Sequence, residues 1–204
     1  MVNASVVAPV VLATLSLLAS LLGGSWCRTF RIEPRGAFRL PDFETGIFLY
    51  RAYDFENSNQ ADVLDSCENL INSVPSIDRR WRVAMIFQAI AWSFAFCLTG
   101  LMYLSCLGIF RLSNDVYRKM GLLWVLVCVP SVFLIFLALD SEICRDNPAL
   151  RDFFVSDLQP LYKNECKLGA GSLAIIVGGT GMFFTGLMSC QAKSDEEEEQ
   201  TRRK

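Results

Sequence analysis

The charged residues of this chain are confined to four blocks, and the stretches between them are long enough to cross a lipid bilayer. No Asp, Glu, Lys or Arg occurs in residues 1–27, 83–110, 120–139 or 168–192 of the 204-residue sequence. A transmembrane helix needs about 20 consecutive, predominantly apolar residues, and each run meets that length. In hydrocarbon a helix satisfies its own amides and carbonyls, whereas a loop does not. The fold class expected is therefore an all-α membrane protein: a four-transmembrane-helix bundle with a small extracellular antiparallel β-sheet from its first loop. The spans are placed at about 6–24, 81–110, 120–139 and 168–192. They form one four-span domain over 1–192, with outer loops 25–80 and 140–167 and a disordered tail at 193–204. The first run is read as an anchor. A cleaved signal peptide has a shorter apolar core and a preceding positive charge, although Gly23, Gly24 and Ser25 are small enough for cleavage.

Orientation rests on two opposed signals. Residues 28–82 carry eight Arg and 140–167 carry four Lys or Arg, against seven in the remaining blocks. A bare positive-inside count would put both large loops in the cytosol, but that rule is weak for long loops. Cysteine placement points the other way. The first loop holds Cys27 and Cys67, the second holds Cys144 and Cys166, and the short turn between spans two and three holds none. Two cysteines per loop are what two intraloop disulfides require, and these persist in an oxidising compartment. Both loops are therefore expected outside the cytosol, with both termini cytosolic, in the plasma membrane or another secretory-pathway membrane. The pairing expected is Cys27–Cys67 and Cys144–Cys166, with cross-loop pairing as the alternative.

Composition narrows the function class. The net charge of −2 does not suit a nucleic-acid partner. Histidine, the commonest general base and metal ligand, is absent from the sequence. No ionisable carboxylate, ammonium or guanidinium lies within a span, and coupled transporters usually need one at mid-membrane depth. The expectation is a protein that is not an enzyme, with no catalytic, cofactor-binding or metal-ligating residues. A membrane enzyme working by Cys, Lys or carboxylate chemistry is the weakest alternative.

Within the first loop, Phe30, Ile32, Phe38, Leu40 and the run at 46–55 suit short half-buried strands punctuated by Gly36, Pro41 and Gly46. Leu64, Cys67, Ile71 and Val74 fall at helical spacing, and Asp78 is placed to cap the second span.

The order of loop sizes, large then small, resembles the claudin and peripheral-myelin-protein superfamily, which includes calcium-channel gamma subunits, their glutamate-receptor relatives and clarins. Trp26 matches the Trp that follows the first span in that family. Gly46-Ile47-Phe48 is similar to its Gly-Leu-Trp, and Cys67 to its second loop cysteine. Arg79, Arg80 and Arg82 lead into VAMIFQAIAW, which is similar to the family's entry into span two. Arg51 departs from the pattern, because it stands where the first loop cysteine belongs; the resemblance makes Cys27 the substitute partner. The terminal Arg-Arg-Lys also departs from the apolar-ended PDZ-binding tail of claudins.

Several residues have a functional and a plain reading. Trp26 and Trp81 bracket the first loop as membrane-interface anchors. Arg79, Arg80 and Arg82 stop span two from sliding inward, with their stems along apolar surface. Phe48, Tyr50 and Tyr53 are the candidate partner surface. Gln88 is read as an interhelical hydrogen-bonding residue. Cys97 and Cys128 are read as packed apolar residues. Cys106 and Cys190 are candidate acylation positions, and Ser194, ahead of five acids, is a candidate phosphorylation position. Small residues at Ser16, Ser20 and Gly24, and at Ala170, Ala174, Gly178 and Gly186, suit close packing of spans one and four. Pro130 is expected to loosen span three.

Two functions follow. In the first, the protein acts in cell-surface or membrane-partner interaction through a disulfide-pinned first loop, with the lipid bilayer and a membrane protein or a second copy as partners. In the second, it is an accessory subunit that modulates a channel or receptor through its spans.

Overall fold

The computed structural model describes residues 4–35, 43–53, 63–69, 77–110, 112–141, 144 and 163–191. Four of its helices are long and apolar enough to cross a membrane. They are α1 (Ala4–Ser25), α2 (Arg79–Cys106), α3 (the continuous helical run Asn114–Asp140) and α4 (Ala170–Gln191). Five strands complete the described elements: β1 (Phe30–Arg35), β2 (Phe43–Thr45), β3 (Leu49–Tyr53), β4 (Val63–Asn69) and β5 (Lys163–Leu168). The tail with Ser194, and Phe38, Leu40, Ile71 and Val74, lie outside the described residues.

Three of the differences between helix boundaries and uncharged runs have a local reason. α2 stops at Cys106 and not at Phe110. Gly108 takes a left-handed φ of 74°, and the amides of Ile109 and Phe110 both turn back to the Leu104 carbonyl. This closes the helix C-terminus. α3 starts at Asn114, ahead of the expected 120, because the Ser113 hydroxyl accepts the Val116 amide at 3.4 Å as an N-cap. Its charged first turns carry the exposed Lys119–Asp115 ion pair at 2.7 Å, four residues apart. α4 starts at Ala170, since Leu168 belongs to β5.

Pro130 has the effect expected of it. α3 runs as α-helix to Leu123, as π-helix over Trp124–Cys128, as α-helix to Phe133 and as 3-10 helix over Leu134–Asp140. Proline donates no amide and crowds the carbonyl four residues back. The helix widens just before it, and the Val129 amide reaches the Trp124 carbonyl.

The chain is built as two compact units. One comprises Met1–Ser20, Ala89–Phe133 and Ile176–Lys204. Its described core includes Val10, Ala13, Leu17, Ala95, Met102, Trp124, Cys128, Val132 and Met182. Backbones approach closely in this unit. A Cβ added at Gly178 would lie 2.8 Å from the Ser16 carbonyl and 2.8 Å from the Ser20 amide. One added at Gly121 would lie 2.6 Å from the Gly186 carbonyl. The close packing expected of spans one and four is observed where Gly178 meets Ser16 and Ser20, whereas Gly186, assigned to the same face, packs against Gly121 and Trp124 of α3. Two serine hydroxyls bond within their own helices: Ser16 donates to Leu12 O at 2.6 Å and Ser189 to Thr185 O at 2.8 Å. Trp92 Nε1 donates to Ser20 Oγ at 3.2 Å.

The second unit comprises Leu21–Gln88 and Leu134–Ile175. It holds the sheet, in the order β4-β3-β2-β1-β5, with every neighbouring pair antiparallel. The expected sheet came from the first loop alone. The observed sheet recruits β5 from the second loop, pairing Phe30–Arg35 with Lys163–Leu168 over six residues. β4 corrects a second expectation. Leu64 and Cys67 are strand and not helix, because the backbone of Val63–Asn69 is committed to pairing with β3. Local periodicity loses to cross-strand hydrogen bonding when a partner edge is available.

Candidate functional site

The sheet unit gathers most of the residues singled out from the sequence. Successive side chains of a strand point to opposite faces. On β1, Phe30 and Ile32 are buried while Arg31 is exposed. Ile47, between β2 and β3, is fully buried, and the Gly46 amide donates to Leu49 O at 2.6 Å to close the turn. Gly46 lies so close to the Trp26 carbonyl that a Cβ there would collide with it.

Trp81, read from the sequence as an interface anchor, is held inside the protein. It is fully buried, its ring stands edge-to-face on Phe30 with centroids 5.7 Å apart, and its Nε1 donates to the Ile47 carbonyl at 2.9 Å. The Gly46-Ile47-Phe48 segment thus supplies the acceptor that a buried indole needs. Just ahead of α2, Asp78 receives the amides of Arg80 and Trp81 at 3.3 Å each, the N-cap expected of it.

Arg80, read from the sequence as a stop at the start of span two, has a partner within the protein that its sequence neighbours do not announce. Its guanidinium forms an ion pair with the Asp140 carboxylate and donates to the Asp140 carbonyl at 2.6 Å. Within this unit it ties the start of α2 to the end of α3. Arg79 and Arg82 are exposed, and Trp26 is 45% exposed. Arg28 pairs with Glu44 at 3.1 Å.

Cys27 is bonded to Cys67 with a Cα separation of 5.9 Å, and Cys144 to Cys166 with 5.3 Å. Each bridge ends on one outermost strand of the sheet: Cys67 on β4 and Cys166 on β5. Arg51, which stands where the resemblance expects a cysteine, is the cross-strand partner of Cys67 in the β3–β4 register. Of the candidate partner surface, Phe48 is half-buried just ahead of β3. Tyr50 and Tyr53 lie on β3, opposite Glu68 and Val63 of β4.

A polar knot joins β1, α1 and α4 inside this unit. The Thr29 hydroxyl lies 2.6 Å from the Gly23 carbonyl and 2.9 Å from the Trp26 carbonyl, at the end of α1. The Thr29 and Arg28 carbonyls in turn accept the amides of Gly169 and Gly171 at 2.8 and 3.0 Å, where β5 passes into α4. Helix ends leave such groups without intrahelical partners, and here they satisfy one another.

The remaining candidates lie in single helices. Gln88 is fully buried. Cys128 is buried as expected, but Cys97 is exposed, because its side of α2 is not packed within the chain. Cys106 and Cys190 are half-buried, and Cys190 Sγ lies 3.7 Å from the Arg118 carbonyl. Among the described residues, no group of three His, Cys, Asp or Glu side chains is placed to hold a metal ion.

No protein-family model matches the chain, and no curated protein matches it.

Proposed function

We propose that this is a non-enzymatic, multi-pass membrane protein of claudin-like type that acts through contacts made by its sheet unit on the outer side of a plasma or secretory-pathway membrane. The observation that carries the reading is the sheet itself. It is assembled from both inter-helix loops, with a disulfide on each outermost strand. Disulfides belong to an oxidising compartment, and a sheet fixed at both sides presents a rigid surface at low entropic cost on binding. The resemblance to the claudin superfamily adds support through Trp26, Gly46-Ile47-Phe48 and the Cys67 position. The Arg51–Cys67 pairing puts the missing cysteine directly opposite its expected mate. The four apolar helices supply the anchor, with the lipid bilayer as their solvent. The partner is a membrane protein or a second copy.

A photo-crosslinking residue placed at Phe48, Tyr50 or Tyr53, and in parallel at Leu18, Phe96 or Leu126, tests the reading. Leu18, Phe96 and Leu126 are exposed on the helices. Crosslinks from the sheet positions are expected. Crosslinks from the helix positions alone would favour the accessory-subunit reading, in which the spans bind a channel or receptor.

A further inference from the structure

We propose that Cys67 is a thiol-exchange site, at which a low-molecular-weight thiol opens the Cys27–Cys67 bridge and releases β4 while leaving Cys144–Cys166 intact. The two bridges differ in access. Cys27 is 4% exposed and Cys144 1%, so neither presents its sulfur to an attacking thiolate. Their partners differ: Cys67 is exposed, whereas Cys166 is only intermediate. Exchange requires a thiolate to reach one sulfur in line with the bond, so access selects both the bridge and the sulfur attacked.

The step is balanced. The incoming thiolate forms a bond to Cys67 Sγ, the Cys27–Cys67 bond breaks, and Cys27 leaves as a thiolate that takes a proton from water. Cys67 then carries a mixed disulfide. No net oxidant is needed, because the electrons of the broken bond remain on Cys27.

The consequence differs as well. β5 pairs with β1 over six residues and continues into α4 through the Gly169 and Gly171 amides, so it stays anchored without its bridge. β4 is an outermost strand whose pairing to β3 is interrupted by a register shift between Arg51 and Tyr53. The bridge to Cys27 is its covalent tie to the end of α1. Thiolation of Cys67 therefore loosens one side of the sheet and spares the other. This proposal does not depend on the membrane or partner reading.

The test uses the full chain in mild detergent. Graded glutathione is added, exchange is quenched with acid, free thiols are alkylated and all eight cysteines are mapped by mass spectrometry. A glutathione adduct on Cys67, with Cys27 as the newly alkylatable thiol, is expected about tenfold ahead of any opening of Cys144–Cys166. Amide exchange at residues 63–69 should rise in the thiolated protein, while that at 163–168 should not. Opening of Cys144–Cys166 first or at the same rate, an adduct on Cys27, or unchanged exchange at 63–69 would each overturn the proposal.

Discussion

Directed interactions hold the sheet unit together. A buried indole donates to a carbonyl (Trp81 to Ile47), a carboxylate caps a helix (Asp78), an ion pair joins α2 to α3 (Arg80–Asp140), and two disulfides fix the outermost strands. The unit formed by Ala89–Phe133 and its helical partners is held differently. Ser16, Ser20 and Gly178, or Gly121 and Gly186, meet at close backbone approach, and the Ser16 and Ser189 hydroxyls bond within their own helices. The contrast is the one the proposed membrane reading expects. In water, hydrophobic burial and specific polar contacts both stabilise, whereas in lipid helices associate through close steric fit. Large apolar side chains such as Phe96 and Leu126 are exposed in the helical unit, as the proposed membrane reading requires of side chains that would face lipid.

Substitutions in each unit can break this contrast. Trp81→Ala removes the largest buried side chain of the sheet unit together with its edge-to-face contact and hydrogen bond. It should cost about 3–5 kcal/mol, measured as a fall in the unfolding midpoint in detergent. Trp81→Phe restores most of the volume but leaves the Ile47 carbonyl without its donor, and should cost about 1–3 kcal/mol. In the other unit, Gly178→Leu forces carbon into the Ser16 and Ser20 backbone and should cost about 1–3 kcal/mol, whereas Leu126→Ala, on an exposed face, should cost well under about 1 kcal/mol. Comparable losses at Gly178 and Leu126 would mean that steric fit does not set the stability of the helical unit.

Much of this was legible in the sequence, because the signals were either long or local. Charge-free runs of 20 residues or more located all four helices, and Asp78 ahead of Arg79 announced its cap. What failed depended on distant partners. β5 reads as KNECKL, without apolar alternation, and its pairing with β1 sets Arg31 opposite Lys167. Like charges directly opposite are unfavourable, so charge matching argues against the observed register. The pairing is supported instead by Phe30 opposite Leu168, Ile32 opposite Cys166, and the Thr29 knot beside them. Trp81 has the position of an interface anchor in sequence, and only the fold brings the Ile47 carbonyl to its Nε1. Arg80 gave no sequence sign of Asp140, 60 residues away.

Smaller effects sharpen the contrast. Asp78→Ala removes an N-cap and should cost about 1 kcal/mol. Arg80→Gln should cost no more than about 1 kcal/mol, because both partners are about half exposed, and the loss should shrink as salt is raised. A salt-independent loss would mean that the contact to the Asp140 carbonyl, and not the ion pair, joins α2 to α3.

The central proposal is that four helices cross a membrane and leave both inter-helix loops with their sheet outside and both termini in the cytosol. Protease added to sealed cells tests it directly, with one epitope inserted at Ser58 in the first loop and another after Lys204. The expected result is loss of the loop epitope and survival of the terminal epitope until the cells are permeabilised. Survival of the loop epitope with loss of the terminal one would contradict it.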